Sequence, residues 1–158
     1  MSSSTLEVRI RRMREADLDR VLEIGTSLVE APKWPASAYT AAIDPLHIPR
    51  RIALAAVDLQ SDALAGFLVA SSVAPEAELE TIAVASGGQR RGVGTLLFKA
   101  LVQELQAERV TGLILEVRAS NRAALDFYRA QGFRETGRRP GYYADPEEDA
   151  ILMELSLP

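Results

Sequence analysis

The sequence predicts an α+β fold, a mixed and mostly antiparallel sheet of about six to seven strands with helices on both faces. Three observations predict it. Short β-prone runs alternate with amphipathic helical stretches; two strand-like runs flank a turn at Ser61 and Asp62; and a strand, a long helix and a second strand follow one another between Glu80 and Val117. The last arrangement predicts a right-handed crossover joining parallel strands. With 158 residues, 47% of them hydrophobic and 25% charged, the chain is long enough for a real core, and one domain over 1–158 is expected.

Leu6 to Ile10 alternates apolar and charged residues as a half-buried strand does, and carboxylates at Glu15 and Asp17 open a helix that carries Leu18, Val21, Leu22 and Leu28 at helical spacing. Pro32, Pro35, Pro45 and Pro49 break up the next stretch, within which Ala36 to Ile43 reads as a short helix. Ile52 to Val57 and Leu64 to Val73 read as the two strands of a hairpin, and a third ends at Val84. From Val93 the apolar positions Leu96, Leu97, Ala100, Leu101 and Leu105 make one helical face. Leu113 to Val117 is a continuous β-prone run, and a helix from Asn121 to Gln131 is stopped by Gly132. Phe133 to Thr136 and Ala150 to Leu155 read as two last strands, joined by a polar loop from Gly137 to Asp149.

Composition removes several chemistries. Zero cysteines exclude disulfides, thiolate metal sites and a cysteine nucleophile, and one histidine, His47, makes a His-based metal site or a Ser-His-Asp triad improbable, so no metal is expected. A net charge of −4 argues weakly against a nucleic-acid partner. No apolar run is long enough to span a bilayer and the first residues lack signal-peptide character, so no membrane partner is expected and the cytoplasm is the default location. Oligomeric state is not legible.

The stretch from Glu80 to Leu105 passes from strand to Gly-rich basic turn to helix. The first N–H groups of a helix lack intrahelical partners and sit at the positive end of its dipole, so this order makes an anion site. Neither a Walker loop, G-x-x-x-x-G-K-[ST], nor a dinucleotide fingerprint, G-x-G-x-x-G, is present. What stands there is Q-x-x-G-x-G, from Gln89 through Gly92 to Gly94. Downstream, Leu115 to Phe133 reads L-E-V-R-A-S-N-R-A-A-L-D-F-Y-R-A-Q-G-F.

Together these two motifs resemble the GNAT superfamily of acyl-CoA-dependent N-acetyltransferases, and the wording L-E-V-R-A-S-N is closest to its bacterial ribosomal-protein-alanine N-acetyltransferase (RimI type) group. I-A-V before the turn, G-Y-Y at Gly141 to Tyr143 and D-A-I-L-M at Asp149 to Met153 also fit, so the resemblance covers roughly residues 76–156. The Pro-Trp pair usual in that group is inverted here to Trp34-Pro35.

The resemblance implies an enzyme that moves the acetyl group of acetyl-CoA, its co-substrate, to the N-terminal amine of a protein, with the N-terminal alanine of a small-subunit ribosomal protein as the expected partner. A small-molecule amine or a lysine side chain is the alternative acceptor, and an acetyl-CoA-binding module without catalysis is the non-enzyme alternative. The cofactor's pyrophosphate is expected on the turn formed by Gln89, Arg90, Arg91, Gly92, Val93 and Gly94. Its pantetheine arm is expected along the backbone of Ile82 and Val84, and Asn121 is expected both to cap its helix and to contact that arm.

Direct attack by an amine needs a base and an acid. Glu116 is the candidate base: it interrupts L-I-L-E-V, where burial would raise a carboxylate's pKa, and it matches the family's catalytic glutamate. Glu80 is the runner-up, because strand alternation places Glu78 and Glu80 on one face with Ile82 and Val84. Tyr128 matches the family's acid, since a phenol can protonate a departing thiolate. Trp34, Glu80, Tyr142 and Tyr143 are the candidate acceptor-site residues. Asp145, Glu147, Glu148 and Asp149 make an acidic group able to steer a basic tail, although a solvated loop is the plainer account.

Overall fold

In a computed structural model that describes residues 7–28, 33–89 and 91–158, the chain forms a seven-stranded sheet flanked by four α-helices. In chain order these are β1 (Val8–Arg12), α1 (Leu18–Ser27), α2 (Ala36–Ala42), β2 (Arg50–Asp58), β3 (Leu64–Val73), β4 (Glu76–Val84), α3 (Val93–Ala107), β5 (Gly112–Arg118), α4 (Arg122–Ala130), β6 (Arg134–Tyr143) and β7 (Glu148–Ser156). The strands lie in the order β1-β2-β3-β4-β5-β7-β6, and every neighbouring pair is antiparallel except β4 and β5.

Strand alternation sorts the core into two layers. Ile52 and Leu54 of β2 point to the face that carries α3 and α4, where Leu97, Leu101, Leu105 and Leu125 are buried against Leu68, Leu113, Leu115 and Met153. Ala53 and Ala55 point the other way, to α1 and α2, against Val21, Ile24, Tyr39 and Phe67. Each fully buried aliphatic or aromatic side chain is worth roughly 1.5–3 kcal/mol of transfer free energy. Helices on both faces therefore follow from a sheet whose inner strands are apolar on both sides. No helix among the described residues is long and apolar enough to cross a membrane.

Two details of register depart from the sequence reading. In β4, Val69 faces Thr81 but Ala70 faces Leu79, so Glu80 is an extra residue at a bulge. The bulge breaks alternation: Ile82 and Val84 pack with Ala77 and Leu79 on the α3/α4 face, while Glu80 points to the opposite face with its partner Arg51. The expected grouping of Ile82 and Val84 with Glu78 and Glu80 is corrected accordingly. The second departure lies in the stretch expected as a loop from Gly137 to Asp149, most of which is strand. β6 continues to Tyr143 and β7 starts at Glu148, with the pairing resumed at Tyr143 and Glu148 past an irregularity. Pro140 is tolerated because β6 is an edge strand, where a missing N–H can face solvent.

The parallel pair decides where the site is. β4 and β5 are in register only from Glu76–Glu78 to Gly112–Ile114, and no ladder joins them beyond. Their C-terminal halves therefore leave a gap in the middle of the sheet, at the point where β4 leads into α3 and β5 into α4. Crevices at the carboxyl ends of parallel strands are where such sheets bind ligands.

Candidate active site

At the head of the gap, Val84 passes through a 3-10 turn (Ser86–Gly88) into α3, whose N-cap is Gly92 at φ +86. Few residues but glycine adopt that left-handed conformation without strain. Gly92 brings no side-chain cap, so the leading N–H groups at Val93 and Gly94 have no side-chain partner among the described residues and can serve as anion donors. Arg91 folds back, its Nη1 donating to the Gly87 carbonyl at 3.2 Å, and Gln89 Nε2 donates to the Val84 carbonyl at 3.1 Å. Gln89 thus braces the turn, and it occupies one backbone group that had been expected to face the cofactor arm. Arg90 lies outside the described residues. At Gly94 a Cβ would come into ordinary van der Waals contact with Phe127 of α4, 3.4 Å away.

On the α1/α2 face of the gap stands Glu116 of β5. Its neighbours Leu115 and Val117 are buried on the other side, and Glu116 is left half-buried, with Nε of Arg139 3.1 Å from its Oε1. Interaction with the same carboxylate raises the Tyr142 pKa above an ordinary phenol's. Tyr142 packs edge-on against Tyr143, with ring centroids 5.1 Å apart, and the Arg118 guanidinium lies 4.4 Å from the Tyr143 ring. Arg118 pairs in turn with Glu148 at 3.3 Å and donates to the Ala144 and Pro146 carbonyls, which pins the β6–β7 turn.

The runner-up base is differently placed. Both Glu80 oxygens are taken by Arg51, at 3.0 and 2.9 Å, and that guanidinium lies 5.9 Å from the ring of Trp34. Trp34 stacks on Tyr39 at 5.2 Å. Glu80 and Trp34 are therefore joined through Arg51 into one wall on the α1/α2 face. The carboxylate whose charged form is penalised is instead Glu78. Its pKa is raised, first by desolvation and then by the charges of Glu80 and Glu116, with Arg139 opposing.

Tyr128 comes from the opposite side. It belongs to the α3/α4 core, packed at 5.6 Å against both Phe127 and Phe133, and burial followed by the nearby phenol of Tyr143 drives its pKa well above the ordinary value. Tyr143 also feels Glu116, so this one phenol is electrostatically coupled to both candidate groups. Asn121 fills its expected capping place, its Oδ1 accepting from the Ala124 N–H at 3.2 Å.

Sequence reading missed Arg51, Arg118 and Arg139, which hold the carboxylates in place. The signal for Arg139 was its position three and four residues before the tyrosines of R-R-P-G-Y-Y, which becomes informative only once that segment is known to be a strand beside β7. Of the acidic group, Glu148 accepts from Ser120 N–H at 2.8 Å and Asp149 from Gly141 N–H at 3.0 Å, so these two brace the fold.

The model of the acetyltransferase (GNAT) family matches residues 13–133. The [ribosomal protein bS18]-alanine N-acetyltransferase of Salmonella typhimurium is 45% identical over 98 residues, 61% of this chain and 66% of that protein, so the match spans just under two-thirds of the relative. The crystal structure of the ribosomal-protein-S18-alanine N-acetyltransferase from Escherichia coli superposes with a TM-score of 0.83 at 33% identity, covering 96% of this chain and 94% of that one. Arabidopsis thaliana NAA60 in complex with acetyl-CoA shares the fold, with a TM-score of 0.81 at 20% identity over 96% of this chain and 99% of that one.

Proposed function

The chain belongs to the acetyltransferase (GNAT) family, and from that premise we propose that it transfers the acetyl group of acetyl-CoA to the N-terminal amine of a protein, the alanine at the start of a small-subunit ribosomal protein. One observation carries the reading: the gap between β4 and β5 has a half-buried carboxylate on one face, a buried phenol on the other and an uncapped helix N-terminus at its head. Relatives at 45% and 33% identity bear the name of that activity, which supports the choice of acceptor.

In this reading the N–H groups around Gly92, Val93 and Gly94 hold the pyrophosphate of the co-substrate, and the unpaired edge of β4 beyond Glu78 receives its amide arm. The residues fit, because the helix N-terminus is uncapped and that strand edge has no ladder. The acceptor amine enters from the α1/α2 face, between Trp34 and the tyrosine pair. Glu116 takes its proton, directly or through one water, as the new C–N bond forms; Tyr128 donates a proton to the sulfur as the C–S bond breaks. An α-amino group with a reference pKa of about 8 is far more often neutral at pH 7 than a lysine near 10.4, which favours an N-terminus over a side chain. Action on a ribosomal protein sets the place of work in the cytoplasm.

A second reading, a small polycationic amine as acceptor, is favoured by the lack of any ion pair to Glu78 among the described residues. Incubation with acetyl-CoA and a panel comprising an Ala-starting ribosomal peptide, the same peptide with a blocked N-terminus and an internal lysine, and a polyamine separates the two, with mass spectrometry locating the acetyl group. Turnover of the polyamine with none of the free peptide overturns the first reading. Cofactor binding without transfer to any amine makes the chain a binding module.

A further inference from the structure

The carboxylates on the acceptor face are paired one by one with arginines. Glu80 has Arg51, Glu148 has Arg118 and Glu116 has Arg139, while Glu78 stands without a hydrogen bond or ion pair among the described residues. Arg139 belongs to β6, two strands away from Glu116, with β7 between them. It reaches across because the residue facing both Arg118 and Arg139 in the register is Ala150, whose methyl group leaves the guanidinium room to lie over the strand. The irregularity between Arg139 and Tyr143, with Gly141 at φ +59 tied to Asp149, brings Tyr142 back so that its ring lies 5.5 Å from the Arg139 guanidinium. Arginine and tyrosine thus converge on one carboxylate from one strand.

We propose that Arg139 is a positioning residue for acetyl transfer: its guanidinium, 3.1 Å from the Glu116 carboxylate, fixes the orientation in which Glu116 meets the acceptor amine. This rests on the reading of Glu116 as the base. With Arg51 and Arg118 each held by another carboxylate, removal of Arg139 leaves Glu116 without an ion-pair partner among the described residues.

The test is kcat and KM for the full chain with acetyl-CoA and an Ala-starting peptide, in the wild type and in Arg139→Met, Arg139→Lys and Glu116→Gln. In Arg139→Met kcat is expected to fall by roughly 10-fold while the KM for acetyl-CoA and the melting temperature stay near those of the wild type, because only the aim of the carboxylate is lost. Arg139→Lys restores part of the rate. If Glu116→Gln abolishes transfer and Arg139→Met keeps the wild-type kcat, the role of Arg139 is overturned and Glu116 remains the base. If Glu116→Gln transfers at the wild-type rate, the base lies elsewhere and the reading beneath the proposal fails.

Discussion

Glu116 and Tyr128 stand on opposite faces of the same sheet, Glu116 with the acceptor-face arginines and Tyr128 inside the α3/α4 core, beside the gap that β4 and β5 leave open. A proton taken on one side and another delivered on the other suit a reaction in which the amine arrives and the thiol departs in different directions. Placement on two faces also makes the two groups separable by mutation.

Glu116→Gln is expected to lower kcat/KM by roughly 10²–10⁴-fold, the usual range for loss of a general base. Tyr128→Phe keeps the ring contacts with Phe127 and Phe133, so its melting temperature and its KM for acetyl-CoA should stay near those of the wild type while kcat falls by roughly 10²-fold. Steady-state kinetics with varied acetyl-CoA check both. An undiminished kcat in either variant removes that residue from the mechanism.

Glu80→Gln leaves the pH profile in place. Its carboxylate is held at both oxygens by Arg51, so it is expected to act on the shape of the Trp34 wall and not as the base. A change confined to the KM for peptide is expected. Disappearance of the acid-side inflection would make Glu80 the base.

Gly92→Ala forces a side chain into the left-handed region at φ +86, at a cost of about 1–2 kcal/mol for an L-residue. The strain falls on the turn that presents the α3 N–H groups. Weaker binding of acetyl-CoA is expected, with kcat at saturation less affected, and calorimetric titration of the cofactor measures it directly.

Asp17 gives a stability prediction with a defined sign. Its carboxylate accepts from Arg11 at 2.7 and 2.9 Å and from the Arg14 N–H at 2.8 Å, and the Arg11 hydrogen bonds, followed by the backbone contact, hold its pKa below the ordinary value against desolvation. A depressed pKa in the folded state stabilises the fold above the unfolded value near 3.9, and that stability is lost as pH falls through the folded value. Asp17→Asn should therefore cost roughly 1–3 kcal/mol at pH 7. The difference between variant and wild type should shrink below about pH 4. Urea melts at the two pH values check it.

Most of the fold was legible from periodicity, because an amphipathic helix such as α3 and a hairpin such as β2–β3 write their buried faces at fixed spacings along the chain. Gly92, Asn121 and Gly132 were legible for a related reason: a helix end makes demands on one or two residues next to it. Legibility failed where a register or an ion pair depends on another strand. The bulge at Glu80 moves Ile82 and Val84 to the opposite face, and the continuation of β6 to Tyr143 needs β7 beside it; neither has a local signature.

The sequence by itself determined the mixed α+β class, the Gly-rich entry to α3 and the candidates Glu116 and Tyr128, all of which depend on residues close together in the chain. Only the tertiary structure decided that β4 and β5 part after three residue pairs, that Glu80 is held by Arg51 and that Arg139 crosses β7 to Glu116. Those relationships join residues 29, 36 and 23 positions apart. Coulombic and packing forces between such residues act only after the sheet has brought them together, and so leave no pattern in the order of residues.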